Sequence, residues 1–261
     1  MEKSQPTRTF ITREIVNLTE LTIVANKFFK ENKIVTQIMH DSPNYEYHFK
    51  FVNEEQNSIQ DWLNSLKEKG ATEMYIEFEL PRNILTVAYT NATPAGIMCK
   101  YNNGQVTIWN KLWQMDNEKN KIIISYIEKV CDPNYFNTNF VNNFKSNFNY
   151  FKTAVKNVKK LSENLQVKEW AEYFNNVFEL EKIENAKNFV PTKLLYNIIP
   201  DENLCALAMA IQAYPFGGMG SWCDRMYAVA QKCNVENEYE KFSKELFAEI
   251  MGMIAYATNN I

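Results

Sequence analysis

Lys121-Ile-Ile-Ile-Ser-Tyr-Ile-Glu-Lys-Val-Cys-Asp-Pro133 is the stretch on which the fold turns. Before it, apolar residues return mostly at a period of two, between short helical runs. After Cys131-Asp132-Pro133 they return at steps of three and four almost to the end. The run 121–127 is rich in β-branched side chains and reads as a last strand. The expected class is α+β: an N-terminal antiparallel sheet with two helices over residues 1–132, followed by an all-helical C-terminal unit over 133–261.

Upstream of the switch, Leu18, Leu21, Val24, Ala25, Phe28 and Phe29 share one helical face, so residues 17–32 read as an amphipathic helix. Residues 34–39 look extended, and Asp41-Ser-Pro-Asn44 supplies turn chemistry. Tyr45, Tyr47, Phe49 and Phe51 alternate with Glu46, His48 and Lys50, as on a half-buried strand. Ile59, Trp62, Leu63 and Leu66 mark a second helix, with Gly70 where a C-terminal cap belongs. Strands are expected around Met74–Leu80, Leu85–Tyr89, Ile97–Tyr101 and Val106–Leu112. Asn103-Gly104 is a hairpin signal because both residues tolerate positive φ. Short connections favour antiparallel pairing, since parallel strands need long crossovers.

Downstream, Phe144, Phe148, Phe151, Val155 and Val158 form one apolar stripe, and Trp170, Phe174 and Val177 another. Leu204, Leu207, Ile211 and Tyr214, then Trp222, Met226, Val229 and Cys233, continue the pattern. Tyr239, Phe242, Leu246, Ile250 and Met253 close it. No repeat of solenoid period is present.

Composition narrows the function classes. A net charge of −3 over 261 residues supplies no global basicity for nucleic acid. The five cysteines, Cys99, Cys131, Cys205, Cys223 and Cys233, are scattered without CxxC spacing, as reduced thiols of a cytoplasmic protein would be. The N-terminus lacks the apolar segment of a secretory signal, and the best apolar run, 204–214, is short for a membrane span. The expectation is a cytoplasmic protein that binds neither nucleic acid nor membrane and carries no cofactor.

Only seven glycines occur, and three fall within four residues: Gly217, Gly218 and Gly220. They belong to Pro215-Phe-Gly-Gly-Met-Gly-Ser-Trp-Cys-Asp224, the segment richest in chemical cues. Pro215 should end the preceding helix, and the glycines allow positive φ or close backbone approach. Ser221 is expected to cap the next helix, with Asp224 completing a capping-box-like pair. Two readings compete: a tight helix-to-helix corner, or free backbone N–H groups forming an anion site. Neither a P-loop nor a dinucleotide fingerprint is present.

Phe216-Gly-Gly-Met-Gly-Ser-Trp222 with Asp224 resembles an FGGMGSxND-like segment of small bacterial helical proteins, some of immunity or toxin-neighbourhood type. The likeness covers only the C-terminal part of the chain, and Cys223 stands where asparagine is expected. It implies a protein-binding or neutralising role, with Phe216, Gly217, Gly218, Met219, Gly220, Ser221, Trp222 and Asp224 as candidate binding residues and another protein, a toxin or assembly partner, as ligand. The alternative is an enzyme or small-anion-binding protein with a site between the two units that uses the 217–224 loop.

The remaining constellations are weaker. Cys223 in a first helical turn could be a nucleophile, but both histidines lie in the other unit and a base is needed. His40, Asp41 and His48 lack a third strong zinc ligand at conventional spacing. Glu77 and Glu79 share a strand face with Tyr75, without a sign of a cleft. Lys152, Lys156, Lys159 and Lys160 read as the solvated face of a helix. No catalytic or metal-binding residue is expected.

Overall fold

The computed structural model describes residues 10–32, 45–51, 53–78, 95–116, 118, 121–131, 148–190, 195, 198–217 and 220–260. Residues 34–39, His40, Asp41, Glu79, the expected strand at 85–89, Phe144, Gly218, Met219 and the boundary at 132/133 lie outside them. The α+β class is observed. One compact unit holds residues 17–78 and 95–131. The other holds 148–260, to which residues 10–16 are also assigned.

In the first unit, β1 (Tyr45–Lys50), β2 (Glu55–Gln56), β3 (Ala71–Phe78), β4 (Ala95–Tyr101), β5 (Val106–Asp116) and β6 (Lys121–Cys131) form one sheet ordered β2-β1-β6-β5-β4-β3. β3 to β6 run as an antiparallel meander. β1, however, lies parallel to β6, with Tyr45 opposite Ile122 and Lys50 opposite Ile127. The sheet is therefore mixed, which corrects the expected antiparallel one. Short connections govern neighbours along the chain, whereas β1 and β6 are joined by a crossover long enough for parallel pairing.

Helix α1 (Phe10–Glu31) is buried on every side from Leu18 to Ala25. It also meets the edge strand of the sheet. The Asn26 side chain donates from Nδ2 to the Met74 carbonyl and accepts from the Met74 N–H, both at 2.7 Å, and so pairs the edge strand as a neighbouring strand would. Helix α2 (Ile59–Glu68) starts where the Ser58 hydroxyl accepts the Asp61 N–H at 3.0 Å, and it buries Trp62, Leu63 and Leu66. Trp62 stacks on Phe49 at 4.4 Å and meets Trp109 edge-on at 5.2 Å, and Phe49 stacks on Tyr126 at 5.3 Å.

Gly70 ends α2 at φ +87°, as expected of a cap, and its carbonyl accepts the Asn102 N–H at 2.9 Å. A Cβ there would stand 2.6 Å from the Asn102 side chain. Gly70→Ala is expected to cost about 1–2 kcal/mol from backbone strain plus that contact, read from a urea-unfolding midpoint. The adjoining turn differs from expectation. Tyr101 and Gln105 pair across Asn102-Asn103-Gly104, and Gly104 alone has positive φ. It is a three-residue loop with a left-handed glycine at its end, which needs one positive φ where a two-residue Asn-Gly turn needs two. Gly96 is set by packing, because a Cβ would meet the Ile108 side chain at 3.2 Å and the Trp109 carbonyl at 3.3 Å.

The second unit contains α3 (Phe148–Asn164), α4 (Lys168–Asn175), a 3-10 turn at Phe178–Glu181, α5 (Ile183–Phe189), α6 (Asp201–Gln212), α7 (Tyr227–Lys232) and α8 (Glu236–Asn259). α8 packs on α3 and α6 and is fully buried from Ile250 to Ala255. Glycine scarcity shows at the helix ends: Asn32, Gln166 and Asn234 hold φ of 55°, 58° and 56° at positions where glycine is usual. After α3, the Val167 N–H reaches the Ser162 carbonyl at 2.9 Å and the Gln166 N–H that of Glu163 at 3.0 Å. Relief of left-handed strain outweighs the entropy a glycine adds, so Gln166→Gly is expected to stabilise by about 0.5–1 kcal/mol. An unchanged or lower urea midpoint would contradict it.

Candidate functional site

The corner from Tyr214 to Arg225 follows the end of α6. Pro215 and Phe216 leave the helix inward. Phe216 is fully buried, edge-on to Tyr214 and to Phe247 at 5.4 Å each. The Tyr173 hydroxyl donates to the Tyr214 carbonyl at 2.8 Å, and the Trp222 N–H returns to the Pro215 carbonyl at 3.2 Å, which closes the loop. Gly220 sits at φ +78°, which accounts for its glycine.

The next helix opens with a π-helical turn, Trp222–Met226, before α7. The expected capping box is not formed. Ser221 spends its hydroxyl on the Gly217 carbonyl at 2.8 Å, and Asp224 accepts from the Gly220 N–H at 2.8 Å, one residue earlier than the capping-box pattern requires. The wider π turn changes the spacing of its first N–H groups, and the glycine at 220 brings its amide to the carboxylate. Three amides of the corner are thereby used within the chain: Gly220 by Asp224, Trp222 by Pro215 and Arg225 by Ser221. An incoming anion would also face the Asp224 carboxylate.

Trp222 is the centre of the corner. It is fully buried and its indole N–H donates to the Ser243 hydroxyl at 2.7 Å, while its carbonyl accepts from Tyr239 at 3.1 Å. Its ring meets Phe174 at 5.2 Å, Trp170 at 5.6 Å and Tyr239 at 5.7 Å. Of the expected binding residues, Phe216, Gly217 and Trp222 face the core, Ser221 is half-buried, and Gly220 and Asp224 are exposed.

Cys223 is buried, and burial pushes its thiol up to about 12 against a weaker pull from Tyr239 and the Gly217 backbone. Desolvation thus overrides the helix-end effect that suggested a nucleophile. Cys99 is likewise pushed up to about 12, first by burial. A free thiol ionises near 9.0, so the unfolded chain releases these protons first. The two thiols' stabilising contribution is complete below pH 9 and is lost as pH rises toward 12. At pH 8 iodoacetamide should label exposed Cys233 but reach Cys99 and Cys223 only after unfolding, as peptide mass mapping would show. Rapid labelling of Cys223 in the native protein would contradict this placement.

In the sheet unit, His48 lies between Glu55, at 2.5 Å from Nδ1, and Glu46, at 3.0 Å from Nε2. Tyr75 donates to Glu73 at 2.7 Å, and burial foremost raises its phenol. Among the described residues no group of three His, Cys, Asp or Glu side chains is arranged to hold a metal ion. On α3, Lys152 pairs with Glu181 at 2.8 Å and Lys159 with Glu163 at 2.7 Å.

A cleft of about 470 Å³ was not foreseen from the sequence. Phe51, Glu54, Lys69, Tyr101 and Glu128 line it, with the Asn53 and Gln105 side chains at its rim. Its residues come from four separate parts of the unit: the β1–β2 connection, the end of α2, the β4–β5 hairpin and β6. Only Phe51 and Tyr101 carried a sequence signal, as the last apolar members of alternating runs.

No protein-family model, curated protein or solved structure matches this chain. Among the described residues no helix is long and apolar enough to cross a membrane.

Proposed function

We propose that this chain is a non-catalytic, cytoplasmic bacterial protein that binds another protein, in the manner of an immunity protein that occupies and neutralises a cognate toxin. In this reading an N-terminal sheet unit with two helices precedes an all-helical C-terminal unit. The carrying observation is the apolar surface of the long β5–β6 hairpin. Leu112 is 59% exposed opposite Ser125, and Ile108, Ile123 and Ile127 on the same sheet face are half-buried around it. On the opposite sheet face, near the two ends of the hairpin, Met115 and Val130 are 52% and 55% exposed. An exposed leucine set among half-buried isoleucines, rimmed here by Lys121, Lys129 and Glu46, is the composition of a protein contact rather than of a solvated face. The likeness of the 216–224 segment to those immunity-type proteins points the same way.

The test is affinity capture from native lysate with the wild-type chain and with Leu112→Glu, coupled to co-expression with genes adjacent to its own. Capture of one stable protein that Leu112→Glu loses is expected. No stable partner together with no protection against a neighbouring toxin sinks the reading.

A further inference from the structure

The cleft of the sheet unit adds a chemical demand on that partner. It lies at the end of the sheet where β1, β4 and β6 finish and β5 begins. Its deep wall is Tyr101, only 4% exposed, whose hydroxyl donates to Glu128 Oε1 at 3.1 Å and stands 3.4 Å from Thr107 Oγ1. Glu128 is thus held in one orientation by a phenol that is itself fixed. The opposite wall is the Phe51 ring. Lys69, at the end of α2, places its ammonium 3.2 Å from that ring's centroid and in an ion pair with Glu54.

Two features make this arrangement directional. Lys69 shows that an alkylammonium fits between an aromatic face and a carboxylate here, a favourable site for a cation. Lys69 is matched by Glu54, which leaves the charge of Glu128 as the excess in the cleft. A second carboxylate, preset by a buried hydroxyl beside an aromatic wall, suits a charged N–H donor. Two residues beyond Glu128 on the same sheet face stands Val130, 55% exposed. An exposed valine beside a cation site fits a side chain presented by a protein surface better than a free amine, which has nothing to lay against it.

Resting on the protein-binding reading above, we propose that this cleft receives a basic side chain of the partner protein, with Glu128 as its counter-ion, Tyr101 positioning that carboxylate and Val130 meeting the apolar flank. The partner is accordingly one that projects a lysine or arginine from an apolar surface.

The experiment titrates the full chain with the peptide Ac-Leu-Lys-Leu-NH2, followed by amide NMR. Three arms accompany it: the same peptide acetylated at the lysine ammonium, butylamine, and the Glu128→Gln variant, whose side-chain carbonyl can still accept from Tyr101. Saturable shifts confined to residues 51–54, 69, 101–105 and 128–130 are expected, with affinity about tenfold weaker in Glu128→Gln and no response to the acetylated peptide. An absence of saturable shifts there, or an equal response to the acetylated peptide, overturns the proposal. Butylamine binding as tightly as the peptide also overturns it, by assigning the cleft to free amines. In the capture assay, full recovery of the partner by Glu128→Gln defeats this inference while leaving the protein-binding reading intact.

Discussion

Trp222→Ala is expected to destabilise the helical unit by about 3–5 kcal/mol, the range for deleting a fully buried aromatic side chain. The cavity would open between Trp170, Phe174 and Tyr239, all supplied by helices already packed elsewhere, so little collapse can fill it. Ser243 would also lose the indole donor that its hydroxyl now accepts at 2.7 Å in a buried setting. Trp222→Phe separates the two contributions. It keeps most of the ring volume and loses the hydrogen bond, and a cost of about 1–2 kcal/mol is expected. Thermal unfolding followed by circular dichroism reads both. If Trp222→Ala shifts stability by less than about 1 kcal/mol, the packing of the corner does not depend on this indole.

Asn26→Ala should cost about 2–3 kcal/mol, a large effect for one half-buried polar side chain. Its amide satisfies both the N–H and the carbonyl of Met74 on the edge strand, and truncation strands two backbone groups rather than one. Open strand edges also template association, so the variant should self-associate with concentration, visible by light scattering. Asn26→Asp refines the test. A carboxylate can still accept the Met74 N–H but faces the Met74 carbonyl with no donor. It should be worse than asparagine at neutral pH and recover partly once protonated in acid. A urea midpoint unmoved by Asn26→Ala would show that solvent serves this edge as well as asparagine does.

Local periodicity placed α2, β1, β3, β4, β5 and β6, because an amphipathic helix or a half-buried strand writes its burial into neighbouring residues. Gly70 was legible for the same reason, since a left-handed cap is a local demand. The parallel pairing of β1 with β6 was not legible, because register between distant strands depends on the whole sheet. Nor could the role of Asn26 be read, since nothing in a helix pattern marks which asparagine meets an edge strand. In the corner, the positive φ of Gly220 is the one left-handed position of the cluster among the described residues. The partners of Ser221 and Asp224 differed because both side chains turn back to backbone groups before the π turn, the Gly217 carbonyl and the Gly220 N–H. The cleft was silent because its residues converge only after folding.

The place of β1 in the sheet has a consequence for how the chain is made. A growing polypeptide emerges from the ribosome N-terminus first, and β1 leaves the tunnel long before β6, its parallel neighbour. Until Ile122 to Ile127 are synthesised, β1 has only the two-residue β2 to pair with, and Phe49 lacks the Tyr126 ring on which it stacks. The nascent strand must therefore wait for its parallel neighbour through a long stretch of translation, with Trp62 of α2 as the earlier ring available to Phe49. Pausing before residue 131 would prolong that wait, and chaperone capture of stalled chains should peak there and fall once β6 is complete.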